Sequence, residues 1–165
     1  MGDRNAEIRP VYETSRENVA LGKPCRANAC AGETYAPENA LNGDSVSKWM
    51  GKAEPDPTVE TGFSACLEVD LGEETTINGW LVQHCGEYED RGNNTVDYFL
   101  QYKTAEDGDW QTADEVWGNI ENVTVRDITP VRARFVRLFI IRPTHRNDKN
   151  CRIYQFHVYR GADEM

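Results

Sequence analysis

Residue types that do chemistry are plentiful in this chain, but few stand in a pattern that performs a reaction. The 28 acidic residues form no recognisable pair of general acid and general base, and there is no G-x-S-x-G, no H-E-x-x-H and no phosphate-cradling glycine loop. The five cysteines, Cys25, Cys30, Cys66, Cys85 and Cys151, include no C-x-x-C, and His84, His145 and His157 do not lie at zinc-finger spacing from them. An odd number leaves at least one thiol unpaired. Cys25 with Cys30, or Cys85 with Cys151, are alternatives for a bridge in an oxidising compartment, and the sequence does not choose between them. Cys66 lies within an apolar run and reads as a small buried residue. The chain is therefore not expected to be an enzyme. Recognition remains: His84 ends a hydrophobic run and is followed by the charged segment Glu87 to Asn94. A rigid strand that delivers an imidazole to the edge of a loop is a common way to build a binding site.

The elements that must position such a site are strands. Leu67, Val69 and Leu71 alternate with Glu68 and Asp70, the period of a strand with one wet face, and Ile77 to Val82 is apolar enough to be buried on both faces. Gly72-Glu73-Glu74 between them predicts a turn joining two neighbouring strands. Further strands are expected at Asn18 to Lys23, Val96 to Thr104, Val123 to Ile128 and Phe135 to Arg142, the last with Phe135, Leu138 and Ile140 inward. Glu106-Asp107-Gly108 reads as a hairpin turn leading to Trp110, and Cys151 to Tyr159 as a strand with a bulge. Trp49, Trp80 and Trp110 are assigned to the core. Pro37 to Leu41 offers one helical turn, and Glu54 to Gly62, with its prolines and acids, a surface loop. About eight strands with almost no helix predict an all-β, antiparallel jelly-roll sandwich.

At 165 residues the chain suits one domain, and 39% hydrophobic against 28% charged content is that of a soluble globular protein. Its longest apolar stretch, around Phe139, is interrupted by arginines and falls far short of the roughly 20 residues a bilayer helix needs. A net charge of −10 repels the phosphate backbone, which excludes nucleic acid as a natural partner and disfavours anionic membranes. The charged, aperiodic residues 1–17 read as a linker, as do 161–165, around a module spanning 18–160. The start carries no apolar secretory segment. The reading is a piece of a longer secreted or cell-surface protein.

The order of these pieces resembles a known family. Asn18-Val19-Ala20-Leu21-Gly22-Lys23, Pro37 to Asp44 with Lys48-Trp49, Leu67-Glu68-Val69-Asp70-Leu71-Gly72 with Ile77, Asp97 to Tyr102 leading to Asp107-Gly108 and Trp110, Ala133 to Leu138, and Ile153 to Tyr159 are together similar to the discoidin (coagulation factor C-type) domain. Within it the chain looks most like the family 32 carbohydrate-binding modules attached to secreted bacterial glycoside hydrolases. The resemblance implies a galactose-binding-like sandwich with a sugar site in loops at one end and a structural calcium ion.

Carried over by position, the resemblance places sugar recognition at His84, at Tyr88 as the nearest aromatic after it, and at Trp117, Asn119 and Asn122 in the loop before the 123–128 strand; Arg146, in the loop before the last strand, is a further candidate. It places calcium beside the loop holding Asn39, Asn42, Asp44 and Ser47 and against Gln155 of the last strand. Here the family's usual acidic ligands appear as Asn42 and Gln155, which weakens the cage, because calcium affinity follows ligand charge. The implied function is a non-catalytic module that binds galactose-, N-acetylhexosamine- or mannose-type glycans for a covalently linked catalytic domain. The alternative is a discoidin-type adhesion domain for a protein or membrane surface.

Overall fold

The computed structural model describes residues 16–162. Its strands, in chain order, are β1 (Cys25–Ala27), β2 (Trp49–Lys52), β3 (Glu54–Pro55), β4 (Phe63–Gln83), β5 (Asp97–Lys103), β6 (Gln111–Val116), β7 (Val123–Arg142), β8 (Asn150–Ile153) and β9 (Gln155–Arg160). Only single 3₁₀ turns, among them the expected one at Pro37–Ala40, interrupt them. All pairings are antiparallel: a large sheet runs β1-β4-β7-β5-β6, with β3 and β9 also on β4, and β2 pairs with β8. The result is the expected jelly-roll sandwich.

Two long strands replace four expected short ones. Gly72-Glu73-Glu74 does not turn the chain; between Asp70 and Thr75, β4 carries residues 71–74 where β7 carries only Arg134, so the turn-prone residues are absorbed as a bulge. Gly72 takes φ 92°, open to glycine without strain, and its N–H donates to Asp70 Oδ1 at 2.8 Å. The bend lets one strand serve both halves of the sandwich: residues 65–70 pair with the C-terminal half of β7, and residues 79–83 lie between its N-terminal half and β9. In the same way residues 123–142 form one strand.

The core lies where the alternation put it, with two exceptions. Leu67, Val69, Leu71, Trp49, Trp80, Leu100, Leu138, Ile140 and Phe156 are buried together; truncating one of the larger aliphatics, as in Leu138→Ala, costs roughly 2–5 kcal/mol. Val136 is the inward residue at the start of the β7 hydrophobic run, whereas Phe135 points out under the Arg134 guanidinium. Trp110 is not in the core either. It lies half-buried, its ring 4.5 Å from both Lys103 Nζ and the Arg137 guanidinium, because the β5–β6 hairpin places it on the outer sheet face. Residues 18–23 are not a strand: Asn18 bridges to Tyr159 and the chain then turns through Gly22 at φ 68°. All five cysteines are free.

Residues 1–15 of the expected N-terminal linker, and 163–165 of the C-terminal one, lie outside the described residues. The remainder of the first is tied down, Arg16 to Asp127 and Glu17 to Arg160.

Candidate functional site

The loops following β4, β6 and β7 gather at one end of the sandwich. Asn119 N–H donates to Val96 O, His145 N–H to Gly92 O, and His145 Nε2 meets Asn119 O at 2.9 Å. The residues expected to contact ligand divide there into struts and open surface.

His84 is a strut. It stands at the end of β4, but the inward course of the strand continues through it, so the imidazole is fully buried rather than presented on a rim. Its Nε2 lies 3.1 Å from Tyr98 Oη and 3.2 Å from Thr124 Oγ1, and its ring packs edge-on to Tyr98. Burial lowers its pKa to about 3, keeping it neutral. Asn119 is also buried, with Nδ2 donating to Thr95 O and Glu121 O and Oδ1 accepting from Glu121 N–H. Asn122 braces the 84–94 loop: its Oδ1 accepts from Asn94 Nδ2 at 2.9 Å, and its backbone carbonyl accepts from His84 N–H. Arg146 lies across Gly92, where any Cβ would strike the guanidinium, and pairs with Asp90 at 2.7 Å. The backbone N–H of Gly92 and this arginine hold the Asp90 carboxyl below its ordinary pKa. Tyr88 packs on Tyr154 with ring centroids 5.0 Å apart. Tyr154 Oη donates to Glu89, which also pairs with Lys48 and, at 3.7 Å, with Arg152. Tyr88 therefore caps a charged cluster.

Trp117 is different. Its indole is 58% exposed, although Nε1 donates to Glu115 Oε1 at 2.9 Å and the ring packs on Phe99 at 5.2 Å. The backbone behind it is fixed, since Gly118, at φ 65°, donates its N–H to Asp97 Oδ1 at 2.8 Å. Asp97 Oδ2 in turn accepts from Arg142 Nε at 3.2 Å. Trp117, Phe99, Ile141, Asp97, Arg142 and the 58–61 segment line an open cleft of about 460 Å³. Both Asp97 oxygens are engaged, so it serves as an anchor; the terminal nitrogens of Arg142 have no protein partner among the described residues. An aromatic face beside forked donors packs the C–H face of a sugar ring and orients its hydroxyls. The sequence reading named Trp117 but missed Phe99, Asp97 and Arg142. Alternation does turn Phe99 away from Tyr98 and Leu100, but the register that brings it to Trp117 and Phe139 is set across strands.

The expected calcium residues are close together, but they meet through hydrogen bonds. Asn42 Oδ1 accepts from Asp44 N–H at 2.9 Å, and Asn42 Nδ2 lies 3.4 Å from Ser47 Oγ. Asp44 Oδ1 accepts from Val46 N–H, and Gln155 Nε2 donates to Asp44 O at 2.9 Å. Asn39 faces elsewhere, with Nδ2 donating to Thr34 O and Lys48 O. Among the described residues no three His, Cys, Asp or Glu side chains converge as a metal site. A donor set with an amide NH₂ directed at its oxygens does not fit a hard cation.

The strands form an antiparallel sandwich whose loops gather at one end. The F5/8 type C domain model matches residues 25–156, and the chain belongs to that family. Among solved structures it is similar to the family 32 carbohydrate-binding module from Streptococcus pneumoniae EndoD, at 27% identity and TM-score 0.71, over 88% of this chain and 100% of that one. Two more distant structures share the fold. Chitosan-binding module 2 of a Paenibacillus sp. IK-5 chitosanase/glucanase, in complex with chitotriose, is 16% identical with TM-score 0.68, covering 86% of this chain and 99% of that one. A Clostridium perfringens module in complex with GalNAc-β-1,3-galactose is 13% identical with TM-score 0.70, covering 87% and 99%. No curated protein sequence matches the chain. Among the described residues no helix is long and apolar enough to cross a membrane.

Proposed function

We propose that the chain is a non-catalytic carbohydrate-binding module that holds a sugar against Trp117 and keeps an attached glycoside hydrolase, secreted or at the cell surface, on its glycan. The observation that carries this is the exposed indole, held by Glu115 and Phe99 over a cleft that Arg142 also lines. Large aromatics left in water on a fixed backbone mark recognition surfaces, whereas scattered exposed aliphatics do not. The complexes of similar modules with chitotriose and GalNAc-β-1,3-galactose support a glycan ligand. Galactose-, N-acetylhexosamine- and mannose-type sugars are the class proposed here. An open cleft implies weak binding: about a dozen heavy atoms at roughly 0.3 kcal/mol each give about 4 kcal/mol, a Kd near 1 mM. Tethering to an enzyme at a glycan-dense surface makes that affinity sufficient.

A glycan array displaying multivalent sugars, followed by calorimetric titration of the strongest ligand, tests the reading. Binding that is lost in Trp117→Ala with unchanged circular dichroism supports it; an array without a ligand overturns it.

One observation favours the adhesion reading: Ile120, 64% exposed, shares a loop with Trp117. Two apolar side chains at one loop tip can dock on a protein or a membrane. The flanking Glu115 and Glu121 oppose an anionic surface. Co-sedimentation with neutral and anionic vesicles separates this from sugar binding.

A further inference from the structure

We propose that the loop from Asn42 to Ser47 is locked by the Gln155 amide in the place where related domains are expected to hold calcium, so that this module folds and binds without the metal. The lock has a direction. His157 is buried between the side chains of Gln155 and Tyr159. Gln155 Oε1, which only accepts, lies 3.1 Å from His157 Nε2, placing the proton on that nitrogen. His157 Nδ1 in turn lies 3.1 Å from Tyr159 Oη. The relay runs from Tyr159 through His157 to Gln155, and its last donor, Gln155 Nε2, points at Asp44 O at 2.9 Å and Asn42 Oδ1 at 3.4 Å.

Those are oxygens a cation would take, and each already accepts an N–H. Turning the amide over would set three oxygens against one another, tolerable only with a cation between them, and would require the His157 proton to move to Nδ1. A second buried amide holds the same loop: Gln83 Oε1 accepts from Ser45 Oγ at 2.7 Å. Paired replacement of two acids by amides removes two charges and supplies the donor that stands in for the missing ion.

The test uses the 165-residue chain, stripped of metal and titrated with calcium chloride in a calorimeter, with melting curves in calcium and in chelator. No saturable heat is expected up to about 1 mM, the weak end of extracellular calcium modules, and the two melting temperatures should agree. Gln155→Met, which keeps the shape and loses the donor, should lower the melting temperature equally in both conditions. Asn42→Asp with Gln155→Glu should be destabilised in chelator and restored by calcium. Saturable calcium binding by the unaltered chain, or a melting temperature that falls on chelation, overturns the proposal, even if the double variant fails to fold. Glycan binding by the unaltered chain should be the same in calcium and chelator; its loss in both would instead count against the carbohydrate reading.

Discussion

His84 abuts the 117–122 loop and Trp117 begins it, and both are residue types that bind ligands, yet the fold uses them in opposite ways. The histidine has its Nε2 engaged by Tyr98 and Thr124, its Nδ1 without a partner among the described residues, and is closed off from water. The tryptophan has its N–H engaged and its face left open. A buried ring held at one nitrogen by two hydroxyls ties strands of the fold together, while an apolar face kept in water is available to bind. The rest of this end of the sandwich divides along the same line: Asn119, Asn122 and Tyr88 hold loops together, and Arg142, whose terminal nitrogens have no partner among the described residues, lines the cleft beside Trp117.

The sharpest way to break this contrast is His84→Ala. A buried imidazole removed from two hydroxyl partners should cost about 2–4 kcal/mol and lower the melting temperature by roughly 5–15 °C, whereas Trp117→Ala should leave it almost unchanged. A stable His84→Ala that loses sugar binding would return the histidine to the ligand site.

Acid titration sharpens it further. His84 and His157 are held neutral by burial, to about 3 and about 4, against an ordinary 6.5. Between these values the unfolded chain binds protons that the folded chain does not, so stability must fall as pH drops from about 6.5 toward 4, by up to ~1.4 kcal/mol per pH unit for each histidine. Asp70, held low chiefly by Arg134, loses its contribution only below the ordinary carboxylate range and does not mask the slope. Urea melts at pH 7, 6 and 5 measure it, and a flat profile would mean that the two rings reach water.

The smallest effect is expected for Arg146→Ala. Its pair with Asp90 is exposed on both sides, so the melt should shift within its scatter and sugar affinity should hold. A tenfold affinity loss would extend the site to the 87–94 loop.

Much of the fold was legible because alternation at 65–71 and the buried run at 77–82 are local signals. The merging of these runs was not, since the bulge at 71–74 is stabilised by pairing with β7, distant in sequence. Trp110 misled for the same kind of reason: its cover of Lys103 and Arg137 comes from neighbouring strands. At the candidate site, position within the family brought His84 and Trp117 to one end of the sandwich but could not separate them, because burial is decided by Tyr98 and Thr124 across the sheet. Phe99 and Arg142 were hidden by cross-strand register, whereas the amides Asn42 and Gln155, on which the proposed metal independence rests, stand in the sequence itself.

The central claim, that Trp117 is the sugar platform, is tested most directly by NMR of the four indole N–H resonances, assigned by single substitutions and followed as the array-selected glycan is added. The Trp117 resonance should move and saturate with the binding curve while those of the buried Trp49 and Trp80 stay still. A saturable titration that leaves Trp117 unmoved and shifts only backbone amides of the 84–94 loop would contradict the account.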